Sequence, residues 1–129
     1  MEDFSVNEFF AELSKAQDLM LQEKYSEALE VLRELQKIEK EGDFDYSLTH
    51  KLYQLISNSE SLLNQQKLLR HVEEIAKNKA SIPITELHEF IVSRGGFKID
   101  LPILKRELEL LILRAIIPHK IVGNDLIFH

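Results

Sequence analysis

Residues 81–129 read SIPITELHEFIVSRGGFKIDLPILKRELELLILRAIIPHKIVGNDLIFH, and the fold turns on how this stretch is divided. Ile82 and Ile84 alternate around Pro83, as in a short edge strand, where a missing donor costs nothing. Thr85 offers an N-cap hydroxyl to a predicted helix that carries Leu87, Phe90 and Ile91 at three- and four-residue spacing. Gly95-Gly96 ends that helix, because glycine takes positive φ cheaply. Asp100 is the predicted cap of the next helix, with Pro102 in its first turn and Leu104, Leu108, Leu111 and Ile112 forming a broad apolar face. Apolar runs at 116–122 and 126–128 then flank Gly123-Asn124-Asp125, a hairpin signal.

Strand, helix, turn, helix and two strands make the order of a winged helix with a small antiparallel sheet. Working outward toward the N-terminus, Ser5 and Glu8 match a capping box with Phe4 before it, so a helix starts near Val6 and carries Phe9, Leu13, Ala16 and Leu19 or Met20. After an interruption at Lys24-Tyr25, Ser26 opens a second predicted helix through Ala28, Leu29, Leu32, Leu35 and Ile38. The order Ala16, Leu19, Tyr25, Ala28, Leu32, Leu35 resembles one tetratricopeptide (TPR) repeat, small residues at Ala16 and Ala28 implying close helix approach. Glu12 and Lys15 stand where that repeat has large apolar residues, Lys40 stands where it often has proline, and no second copy follows.

Glu41-Gly42-Asp43 is the clearest break in the front half, whereas 46–79 contains neither glycine nor proline. Leu48, Leu52, Leu55 and Ile56 mark one predicted helix, and Leu68 or Leu69, Val72, Ile75 and Ala76 another. Ser57-Asn58-Ser59 is the weakest helical stretch and is read as a break or bend, the alternative being one helix of ~50 Å. The expectation is a mainly α chain with a TPR-like helical subdomain at 1–80, of about four helices, and a winged-helix subdomain at 81–129. The short joint at 78–80 predicts one core shared by both.

The C-terminal cadence carries a family resemblance. Leu69-Arg70, Ile82-Pro83-Ile84, Leu108-Glu109-Leu110-Leu111-Ile112, Ile116-Ile117-Pro118-His119-Lys120-Ile121 and Asn124-Asp125-Leu126-Ile127-Phe128 follow in the order in which a last helix, an isoleucine strand and a wing succeed one another. This resembles the PCI domain, which subunits of the proteasome lid, the signalosome and translation initiation factor three share. The family has a small-residue turn before the first wing strand, where this chain has Arg114-Ala115 without glycine. The resemblance implies a subunit of a multi-protein assembly, built of a helical front and a winged helix and associating through winged-helix sheets.

Composition narrows the function classes. The 129 residues are 44% hydrophobic and 29% charged, as in a globular domain. No apolar run reaches the ~18 residues of a membrane helix. The N-terminus MEDFSVNEFF is acidic and unlike a signal peptide, and there is no cysteine, so the expected location is cytoplasmic or nuclear. His50, His71, His88, His119 and His129 form no zinc motif, since Val92 stands where His88-Glu89 would need a second histidine. No glycine-rich phosphate loop, serine-nucleophile motif or EF-hand pattern occurs, and the acidic residues of 39–45 and Glu73-Glu74 read as solvated surface. A non-catalytic chain without cofactor is expected.

Two functions compete. For nucleic-acid binding, 101–115 is the candidate recognition helix and Lys98, Lys105, Arg106, His119 and Lys120 are the candidate contacts. Against it, residues 81–129 hold six acidic and six basic side chains, and residues 1–80 hold 16 acidic and 10 basic; phosphate binding draws most of its affinity from a net basic face. Lys105 and Arg106 read as a mixed surface shared with Glu107 and Glu109. The favoured reading is a protein-interaction scaffold. The wing carries apolar side chains on consecutive positions, so a partner, or a second copy of the chain, is expected at Ile121, Val122, Leu126, Ile127 and Phe128, with Ile127 facing the interface.

Overall fold

A computed structural model describes residues 5–94 and 98–129. The expected Phe4 contact and the Gly95-Gly96 helix stop lie outside the described residues. Helices α1 (Val6–Leu21), α2 (Tyr25–Glu41) and α3 (Tyr46–Ala76) are followed by β1 (Ser81–Pro83), α4 (Ile84–Arg94), α5 (Leu101–Leu113), β2 (Lys120–Val122) and β3 (Asp125–Ile127). The chain is thus mainly helical with a small three-stranded antiparallel sheet. It divides into two compact units, Met1–Leu63 and Asn64–His129, so the boundary falls inside α3 and not at 80/81. Each unit has its own cluster of buried side chains in place of the single core expected.

In the first unit, Ser5 starts α1 as predicted: its hydroxyl accepts from the Glu8 amide at 3.1 Å and donates to the Glu8 carboxylate at the same distance. Phe9, Leu13 and Ala16 are buried against α2, and Leu19 and Met20 are half-buried. Ala16 and Ala28 are fully buried, as close helix approach requires. The helix ends with Glu23 at φ 62°, its amide bonded to the Met20 carbonyl while the Lys24 amide reaches Leu19, a Schellman motif without glycine. α2 begins at Tyr25, one residue before the predicted Ser26, with no side-chain cap. Its stop at Gly42 agrees with the predicted break. Phe44 then folds back onto Phe9, ring centroids 4.8 Å apart. The first half of α3 closes this unit with Leu48, Leu52, Leu55 and Ile56, while Arg33 pairs with Glu60 at 2.8 Å.

α3 is one helix of 31 residues, about 46 Å long, with no break at Ser57-Asn58-Ser59, so the front has three helices and not four. Poor helix formers cost only a few tenths of a kcal/mol each. The flanking burial outweighs that cost, and also the burial of the Ser59 hydroxyl without a hydrogen-bond partner. Buried positions repeat as 48, 52, 55 and again as 68, 72, 75, and each series serves its own core.

In the second unit, Leu68, Val72 and Ile75 of α3 pack with Ile82, Ile84, Leu87, Ile91, Leu104, Leu108, Leu111, Ile117 and Leu126. α4 starts at Ile84, so Thr85 lies inside the helix and does not cap it; the Ile84 amide donates instead to the Asn124 carbonyl at 2.8 Å. Asp100 holds the extended N-cap backbone of α5, with Pro102 in the first turn, but its side chain makes no capping bond. α5 ends in a second Schellman motif. Ala115 takes φ 56°, its amide bonds to Ile112 and the Ile116 amide bonds to Leu111. This turn shortens the expected strand 116–122 to Lys120–Val122, because residues 116–119 leave the helix end and bury Ile117 and His119.

Candidate interaction face

The sheet order is β1-β3-β2, with Ile82 opposite Leu126 and Leu126 opposite Ile121. The hairpin between β2 and β3 turns on Gly123, at φ 63°, and Asn124, so Asp125 belongs to the strand. Beyond β3, the Phe128 amide donates to Ala80 at 2.9 Å. Successive strand residues point to opposite faces. Ile82, Leu126 and Ile121 form the inner row; Leu126 is fully buried, and Ile121 and Phe128 pack on the same core. The outer face follows from the register. One row is Ser81, Ile127 and Lys120, and the other is Pro83, Asp125 and Val122.

The five residues proposed as an apolar interface therefore separate. Leu126 is core and is removed from the candidate face, and Ile121 and Phe128 point inward. Val122, 56% exposed, and Ile127, half-buried, remain outside. Pro83, exposed on the same face, was not singled out by sequence reasoning; its odd-numbered place beside Ile82 in the strand was the available signal. The outer face thus carries Pro83, Val122 and Ile127 as its apolar side chains, with Asp125 between Pro83 and Val122 and with Ser81 and Lys120 on either side of Ile127.

The nucleic-acid candidates separate too. Lys98, Lys105, Arg106 and Lys120 are exposed. His119 is buried: its Nδ1 accepts from the His129 amide at 3.1 Å and its ring stands edge-on to Phe128, 5.1 Å away. Burial, with His129 beside it, pushes the His119 imidazole below its usual pKa. It is unavailable to phosphate.

Glu107 corrects the reading of α5 as a mixed surface there. Its side chain is fully buried, accepting from Gln65 Nε2 at 2.7 Å and pairing with Arg106 Nη2 at 3.1 Å, while Arg114 donates to Gln65 Oε1 at 3.4 Å. Spacing carries the signal, since 104, 107, 108 and 111 share one face of a helix. Arg106, the central candidate cation, is thus partly neutralised by its neighbour. The unit boundary also changes the charge balance: residues 64–129 carry ten basic and eight acidic side chains, and residues 1–63 carry six and fourteen.

The other histidines have structural surroundings. His88 Nε2 donates to the Ile99 carbonyl at 2.7 Å, His71 stands edge-on to Phe90, and His50 stacks on Tyr46. Among the described residues no group of three or more His, Asp or Glu side chains could hold a metal, and no helix is long and apolar enough to cross a membrane. Comparison with protein-family models, with curated proteins and with solved structures finds no match.

Proposed function

We propose that the chain is a non-catalytic protein-interaction module, a PCI-like subunit of a larger assembly, in which residues 64–129 form a winged helix and α1 and α2 a TPR-like hairpin. The element order α3, β1, α4, α5, β2, β3 and the sheet order β1-β3-β2 support the winged-helix reading. The observation that carries the function is the outer face of that sheet. Pro83, Val122 and Ile127, set among Ser81, Asp125 and Lys120, lie on the face opposite the row that packs on the unit's own helices. Exposed apolar side chains grouped among polar ones are the usual ground for protein association.

Nucleic-acid binding is the weaker reading. The second unit has an excess of two cations, but Arg106 is held by Glu107 and His119 is buried. Affinity for phosphate scales with the number of cations free to neutralise it.

The test is affinity capture from the native source with the wild-type chain and with Val122→Lys/Ile127→Lys, both side chains lying off the core. Partners held by the wild type and lost by a variant of unchanged melting temperature are the expected result. An identical set of partners on both chains would remove the sheet face from the function.

A further inference from the structure

The first unit carries a second surface, independent of the sheet. Between α1 and α2 lies an open groove of about 320 Å³, lined by Glu12 and Lys15 of α1 and by Glu30, Val31, Glu34, Leu35 and Ile38 of α2. Its floor is apolar. Leu35 lies at the bottom, 1% exposed, with Val31 and Ile38 half-buried on either side of it along α2. Spacings of four and three residues put these three on one stripe about 10 Å long. A stripe of that length matches two turns of an apposed helix, whose anchors would come at i, i+3 or i+4, and i+7.

The rim decides what kind of helix. Three carboxylates, Glu12, Glu30 and Glu34, face one ammonium, Lys15. Glu34 is held by Lys37 at 3.1 Å, whereas Glu12 and Glu30 have no ion-pair partner among the described residues. The surrounding unit reinforces the sign, with fourteen acidic and six basic side chains in residues 1–63. The groove beside α4 is less biased: Glu74, Glu86 and Glu89 stand with two cations, Lys79 and Arg94, and Lys79 pairs with Glu86 at 3.4 Å.

We propose that the α1–α2 groove docks an amphipathic helix from a protein partner, with aliphatic residues against Val31, Leu35 and Ile38 and with lysines or arginines flanking them to meet Glu12 and Glu30. Complementary charge sets the on-rate and rejects acidic helices, and the apolar stripe supplies the affinity. Glu12 and Lys15 thereby acquire a reason to stand where a packed helical repeat has large apolar side chains: they form a wall of the groove, and the groove stays open.

The test uses the full chain and a fluorescein-labelled synthetic amphipathic helix of leucine and lysine, with its leucine–glutamate counterpart as control. Anisotropy is followed from about 0.05 to 0.3 M salt, over which the Debye length shrinks by a factor of about 2.5. Micromolar binding of the lysine helix alone is expected, weakened roughly tenfold in Glu12→Lys/Glu30→Lys but much less in Asp18→Lys/Asp43→Lys, which changes the charge equally away from the groove. Amide shifts in ¹H–¹⁵N spectra should cluster on Val31, Leu35 and Ile38. Equal loss in both double variants, equal binding of both helices, no binding, or shifts centred on Val122 and Ile127 would each overturn the proposal. So would self-association of the chain that Glu12→Lys/Glu30→Lys abolishes, which would give the groove to a second copy. Binding that persists in Val122→Lys/Ile127→Lys separates this groove from the sheet face.

Discussion

Gln65 donates its side-chain amide to the Glu107 carboxylate at 2.7 Å, and so ties the second half of α3 to α5 through a side chain with no exposed surface. A buried carboxylate that loses a donor keeps its desolvation penalty without the compensating bond. Gln65→Leu is expected to cost about 1–3 kcal/mol of stability. Urea unfolding measures it, and a midpoint equal to the wild type's would show that the bond contributes nothing net.

Ala115 and Glu23 occupy the left-handed position that closes a Schellman motif, at φ 56° and 62°. Residues with a Cβ are strained there by roughly 1 kcal/mol, and glycine is not. Ala115→Gly should therefore stabilise the second unit, and Glu23→Gly the first, each by about 0.5–1 kcal/mol. Hydrogen exchange of amides in α5 and α1 resolves the two effects. Faster exchange at either helix end would contradict the expectation.

His119 is held below its ordinary pKa of 6.5 by burial, with His129 adding repulsion. The unfolded chain then binds the proton more readily than the folded chain, so stability rises with pH across this window. The contribution is complete above the unfolded value and is lost as pH falls from there through the folded one. Protonation also removes the lone pair with which Nδ1 accepts from the His129 amide. Melting temperature measured from pH 7 down to about pH 5 should fall less steeply in His119→Asn than in wild type. Parallel curves would mean that His119 does not titrate in this range.

Leu126 and Ile127 are neighbours on opposite faces of β3. Leu126→Ala should cost about 2–5 kcal/mol, as for a fully buried leucine, whereas Ile127→Lys should leave the melting temperature nearly unchanged. A loss of several degrees in Ile127→Lys would place that side chain in the core.

Duplex DNA should bind no better than the non-specific range of roughly 1–100 μM at physiological salt. Anisotropy with a labelled duplex measures this. Submicromolar binding, lost in Lys98→Glu or Lys105→Glu, would restore α5 as a recognition helix.

Local sequence carried the helix starts and stops that depend on few residues. The Ser5–Glu8 box, the stop at Gly42 and the β2–β3 hairpin at Gly123 were all legible, because each is set by bonds or φ angles within a few positions. The inward row Ile82, Leu126 and Ile121 was only partly legible. Apolar residues at 126, 127 and 128 say that a strand is present, but alternation alone does not say which parity is buried; register against β1 decides it. Val122 and Ile127 were consequently named together with Leu126, although only the first two lie on the outer face.

Tertiary structure decided what nonlocal packing controls. Ser57-Asn58-Ser59 has the propensity of a break, yet burial on both sides keeps α3 continuous and moves the unit boundary to 63/64. Thr85 has the chemistry of a cap, but the Asn124 carbonyl, forty residues later, takes the first amide of α4. Glu107 and His119 look like surface groups until Gln65, 42 residues away, and the His129 amide, ten residues away across the hairpin, satisfy them. A sequence states which backbone and side-chain groups need partners and roughly where helices and strands can form. Which partner reaches which group depends on contacts between residues far apart in the chain, and only the folded unit brings those together.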